Sequence, residues 1–178
     1  MPRCRKYGSD TQINSGSAPA QIRGRYELKQ YRLVLLIWTT VIVMAGVWPF
    51  ENFVGHAHWQ YIKWIPTVED LASWKYLLDI GTDIVANTAL YFPLGYLLTR
   101  LQDKRTLPYQ LMCAAALGGA LSVSVEYYQV YCHNRFPSIF DVITNVAGSL
   151  FGARFAYLKT LDGATDTLAF SKVISPPR

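Results

Sequence analysis

Charge is scarce in this chain of 178 residues: only 16% are Asp, Glu, Lys or Arg, and none lies between Leu33 and Phe50. With 51% apolar residues, that shortage argues against an ordinary soluble domain and for a bilayer. Cysteine is scarce as well. Cys4, Cys113 and Cys132 are odd in number and lack metal-like spacing, which leaves neither a disulfide framework nor a zinc site. Recognisable catalytic signatures are also missing. Ser122 and Ser124 have no matching His, there is no Lys- and Arg-rich phosphatase pattern, and the Gly-Asp pattern of intramembrane aspartyl proteases is absent. No cofactor is expected.

The charge that is present is informative. The net charge is +5, and Arg3, Arg5, Lys6, Arg23, Arg25, Lys29 and Arg32 precede the first apolar run, against only Asp10 and Glu27. This asymmetry reads as orientation in a bilayer, with no nucleic-acid partner. Residues 1–30 are expected to form a disordered basic cytoplasmic tail. The run over 33–50, closed by Trp48, predicts an uncleaved first transmembrane helix in preference to a signal peptide, because no small-residue cleavage pattern follows it.

Residues 51–82 are too interrupted to span but rich in aromatics, including Phe53, Trp59, Trp64 and Trp74. Thr67 and Asp70 are spaced as at a helix start, and Val68, Leu71, Ala72, Trp74 and Leu78 give an apolar side, which predicts a short interfacial helix in this first outer loop. The aromatic loop is a candidate surface for a membrane-protein partner. His56 and His58 lie here too, but without a carboxylate or thiol at ligand spacing they give no metal site.

Further spans are expected over 83–99, 108–130 and 139–158, each long enough for about 30 Å of hydrocarbon at about 1.5 Å per residue. The expected fold is therefore an all-α polytopic bundle of about four transmembrane helices, with a transmembrane domain over 31–160 and a cytoplasmic tail over 161–178. Loop charges fit this topology. The 51–82 loop is net acidic, the 100–105 turn carries Arg100, Lys104 and Arg105 against Asp103, and both termini fall on the cytoplasmic side. Arg135, expected outside, is the exception. In this topology Cys4, Cys113 and Cys132 lie apart and do not pair.

Polar residues inside the apolar segments mark the candidate site. Asp83 and Asn87 stand one helical turn apart, as do Asp141 and Asn145, while Glu126 and Gln129 share a face near the outer end of the third span. Stepping back from Glu126 by fours gives Ser122, Gly118 and Ala114, small enough for close helix approach; Gly148 and Gly152 repeat this, and Pro93-Leu94-Gly95 interrupts the second span. Asp83 and Asp141 also suit helix N-caps, and the amides suit interhelical bonding. Three carboxylates, three amides and Arg135 in one small volume nevertheless exceed what packing requires. Asp83, Asn87, Glu126, Gln129, Arg135, Asp141 and Asn145 are therefore the expected ligand-binding residues.

The same stretches, Asp83-Ile-Val-Ala-Asn87 through Pro93-Leu-Gly95, then Glu126-Tyr-Tyr-Gln129, then Arg135 and Asp141-Val-Ile-Thr-Asn145-Val-Ala-Gly148, resemble the VanZ-like family of bacterial integral membrane proteins over residues 79–158. The resemblance implies a multi-pass cytoplasmic-membrane protein linked to the cell envelope or to glycopeptide (teicoplanin) susceptibility, and no established reaction. Three functions fit these residues: binding of a membrane lipid or lipid-linked envelope precursor; an intramembrane enzyme with Glu126 and Asp141 as the acid/base pair; and a structural membrane subunit. Transport fits less well, because the polar residues occupy only one half of the span.

Overall fold

The computed structural model describes residues 17–62, 74–102 and 105–174, and the statements below concern these residues. Four long helices follow one another: α1 (Ser17–Val47), α2 (Trp74–Leu101), α3 (Leu107–Gln129) and α4 (Ile139–Ile174). Two short 3-10 turns, Phe50–Asn52 and Trp59–Tyr61, lie in the α1–α2 connection, and no strand occurs among the described residues. Two helices are long and apolar enough to cross a membrane, over Glu27–Val47 and Leu107–Gln129; four spans are not shown.

The helix boundaries depart from expectation in instructive ways. α1 starts at Ser17, so residues 17–30, expected to be a disordered tail, are helical. Ala18, Ala20, Gln21, Arg23, Arg25 and Lys29 are good helix formers, and polarity there sets depth more than conformation. α1 stops at Val47 because a residue before proline avoids helical geometry and Pro49 has no N–H to donate.

α2 begins at Trp74, nine residues before Asp83. Trp74 and Leu78 therefore belong to this long helix, and the rest of the expected interfacial helix, residues 67–73, lies outside the described residues. Asp83 is consequently no N-cap; it stands in the third turn. Pro93 does not interrupt α2 either, since the helix runs on to Leu101. α3 matches its expected limits closely. α4 starts where expected but continues to Ile174, so the polar composition after 160 ends the apolar face without ending the helix.

α2 and α4 pack backbone to backbone. A Cβ on Gly95 would collide with the carbonyl of Ser149, and one on Gly152 with the carbonyl of Phe92. Gly118 of α3 likewise takes the Ser149 side chain where a Cβ would sit. Small residues let helices approach closely enough for dispersion and interhelical bonds to hold them. α1 closes the bundle through a core of Ile42, Tyr91 and Leu94, and the Trp38 indole donates to the Leu90 carbonyl at 2.8 Å.

Candidate ligand cavity

One end of the bundle is closed by loops. The segment after α1 lies against the turn between α3 and α4: Val54 N–H donates to the Tyr131 carbonyl at 2.9 Å, His58 N–H to the Val130 carbonyl at 2.9 Å, and His133 N–H to the Asn52 carbonyl at 2.7 Å. Phe53 stacks on Tyr128 with ring centroids 5.5 Å apart.

Beneath this closure is a cavity of about 410 Å³, and all seven residues singled out from sequence line it. α2 supplies Asp83 and Asn87, α3 supplies Glu126 and Gln129, the α3–α4 turn supplies Arg135, and α4 supplies Asp141 and Asn145. The i,i+4 and i,i+3 spacings explain the convergence, because each pair presents one face of its own helix. Asp83 is exposed, Asn87, Glu126, Arg135 and Asp141 are half-buried, and Gln129 and Asn145 are buried.

The hydrogen bonds divide these residues by role. Glu126 accepts the Ser138 N–H at 2.9 Å, and the Ser138 hydroxyl in turn accepts the Phe140 N–H at 3.2 Å. Ser138, not Asp141, is therefore the capping residue of α4, and Asp141 is its third helical residue. The Arg135 guanidinium donates to the Trp48 carbonyl at 2.6 Å, and Gln129 donates to the Gly46 carbonyl at 3.0 Å. Both bonds satisfy carbonyls at the end of α1, which its own helix cannot pair. Deeper in, Asn145 donates to the Ser122 hydroxyl at 2.9 Å, and its carbonyl oxygen Oδ1 has no hydrogen-bond partner.

Several participants were not singled out from the sequence. Tyr91 is a third lining residue on the Asp83 and Asn87 face of α2, and the continued step of four could have found it. Ser138 carried the signal of a capping serine before an apolar run. The Trp48 and Gly46 carbonyls left no sequence signal, because any residue type offers one.

The three histidines gather outside the cavity. His133 joins His56 and His58, with ring centroids 4.5 Å apart for His56 and His58, 5.0 Å for His58 and His133, and 6.0 Å for His56 and His133. Burial lowers the His58 imidazole below its ordinary value, and the two neighbouring rings act in the same direction. Among the described residues, no group of three His, Cys, Asp or Glu side chains is set to hold a metal ion. Cys113 and Cys132 are both free.

Two helices long and apolar enough to cross a membrane, close-packed through small residues, with amides and carboxylates lining a cavity in the bundle, suggest a helical membrane protein. The VanZ/LLP1 family model matches residues 31–160, which cover most of the chain and every cavity residue named above. The chain belongs to the VanZ/LLP1 family. Comparison with curated proteins and with solved structures gave no match.

Proposed function

We propose that this protein binds a lipid or lipid-linked component of the cell envelope in the cavity beneath Arg135, at the outer leaflet of the bacterial cytoplasmic membrane. The observation that carries the reading is the convergence of Asp83, Asn87, Glu126, Gln129, Arg135, Asp141 and Asn145 on one cavity of about 410 Å³. Packing alone does not call for three carboxylates and an arginine around open space in an apolar bundle.

Orientation rests on charge. Lys29 and Arg32 in the first part of α1, and Arg100 and Arg105 at the α2–α3 connection, lie at the opposite end from Arg135, which supports reading that opposite end as cytoplasmic. Trp48, Phe53, Trp59 and Phe136 are exposed at the Arg135 end, as suits an aromatic belt at a headgroup region. The Arg135 guanidinium would hold a phosphate or carboxylate with the donors not used on Trp48, while the amides fix orientation. A role in glycopeptide (teicoplanin) resistance would follow if the bound component were a target or a carrier of the drug.

An acid/base role for Glu126 and Asp141 has less support. Glu126 has an oxygen committed to the Ser138 N–H, which is a helix-capping task.

The test is binding of acyl-labelled phosphatidylethanolamine to the full chain in phosphatidylcholine nanodiscs. One charge-assisted hydrogen bond is worth about 1.5–3 kcal/mol, so Arg135→Ala should weaken binding roughly 10- to 100-fold. Binding unchanged in Arg135→Ala would overturn the reading.

A further inference from the structure

Three consecutive residues of the α3–α4 turn, Asn134, Arg135 and Phe136, line the cavity together. In extended chain successive side chains point to opposite faces, so three in a row reach one space only where the backbone bends sharply. The bend is at Asn134, whose φ is 60°. That left-handed geometry crowds Cβ against the backbone; glycine adopts it freely, and asparagine is among the few other residues that visit it.

The segment around Asn134 has little other freedom. Before it, His133 N–H donates to the Asn52 carbonyl at 2.7 Å, and Cys132 forms an antiparallel bridge with Phe53. After it, Ser138 N–H donates to the Glu126 carboxylate at 2.9 Å. Between these anchors the ring of Pro137 sets its own φ, and Phe136 is restricted as the residue before a proline. With both ends held, the backbone of Asn134 decides where Arg135 leaves the turn. Arg135 leaves it over the cavity, with its guanidinium 2.6 Å from the Trp48 carbonyl just beyond α1, the helix that adds Ile42, Ala45 and Gly46 to the lining.

We infer that Asn134 is a positioning residue for Arg135: its left-handed backbone, and not its amide, aims the guanidinium at the head of the bound lipid. This rests on the reading of the cavity given above and says how its donor is set. A residue that disfavours a φ of 60° populates the aimed turn less, and apparent affinity falls in proportion to the fraction of chains with competent geometry. Glycine keeps the geometry and removes the amide, so it separates the two roles.

The experiment measures binding of acyl-labelled phosphatidylethanolamine to the full chain in phosphatidylcholine nanodiscs, for wild type, Asn134→Gly, Asn134→Ala, Arg135→Ala and the double variant Asn134→Ala with Arg135→Ala. Thermal unfolding is recorded for each. The expected result is binding by Asn134→Gly within about twofold of wild type and by Asn134→Ala roughly fivefold weaker. The double variant should bind no more weakly than Arg135→Ala alone, because a residue that acts through another adds nothing once that other is gone. Equal weakening in Asn134→Gly and Asn134→Ala would give the amide a direct contact with the ligand and overturn the backbone role. Wild-type binding by Asn134→Ala, with or without a lower unfolding temperature, would make the turn merely structural and overturn the inference. A further loss in the double variant would show that Asn134 does not act through Arg135. Each of these three outcomes leaves the cavity reading standing, whereas wild-type binding by Arg135→Ala, or no binding by any of the proteins, overturns both.

Discussion

The Glu126 carboxylate of α3 accepts the backbone N–H of Ser138 at 2.9 Å and so ties the end of one helix to the start of the next. That N–H belongs to the loop before α4, at a helix start where N–H groups need partners from outside the helix. Glu126→Ala leaves it without one and should destabilise the bundle by about 1–3 kcal/mol. Glu126→Gln keeps an acceptor oxygen and should cost less than about 1 kcal/mol. Thermal unfolding in detergent distinguishes the two, and an equal loss in both variants would mean that charge, not capping, is what the bundle needs.

The backbone contact between α2 and α4 makes a sharper structural prediction. The Cβ of Gly152→Val would collide with the Phe92 carbonyl and with backbone near Tyr96, neither of which can rotate away. Overpacking costs about 1–3 kcal/mol, and contact with backbone belongs at the upper end. The level of protein in the membrane should fall markedly. The same substitution at Gly81, which has open space where a Cβ would be, should lower stability little or not at all.

The polar pairs of the site were legible in the sequence because ionisable and amide residues stand out in apolar helices, and i,i+4 spacing fixes their faces. Asp83 with Asn87 and Asp141 with Asn145 were readable for that reason. Their positions along the helices were less so. Asp83 looked like a helix start because polar sequence precedes it, yet helix propensity carries α2 back to Trp74. His133 is far from His56 and His58 in sequence, and only the folding of two loops against each other brings the three rings together.

The loop closure should respond to acid through His58. Burial and the neighbouring His56 and His133 rings hold its folded-state pKa below the ordinary 6.5. Below that value the unfolded loop takes up a proton that the packed loop resists, so packing is fully stable above 6.5 and weakens as pH falls beneath it. Hydrogen exchange at the Val54 and His58 amides, corrected for intrinsic rate, should be faster at about pH 5.5 than at about pH 7.5. His58→Gln should weaken that dependence, and an identical acid response in the variant would assign it to other groups.

The claim that the cavity is a binding site, and not only a packing defect, is tested most directly on Arg135. Wild type and Arg135→Ala would be purified in a mild detergent, with chain level in the membrane measured by quantitative blotting and co-purifying amphiphile by mass spectrometry. The expected result is an unchanged level, because Arg135 contributes one hydrogen bond to Trp48, together with loss of most of the bound amphiphile. Equal retention of amphiphile by both proteins, or loss of the protein itself along with the amphiphile, would contradict the account.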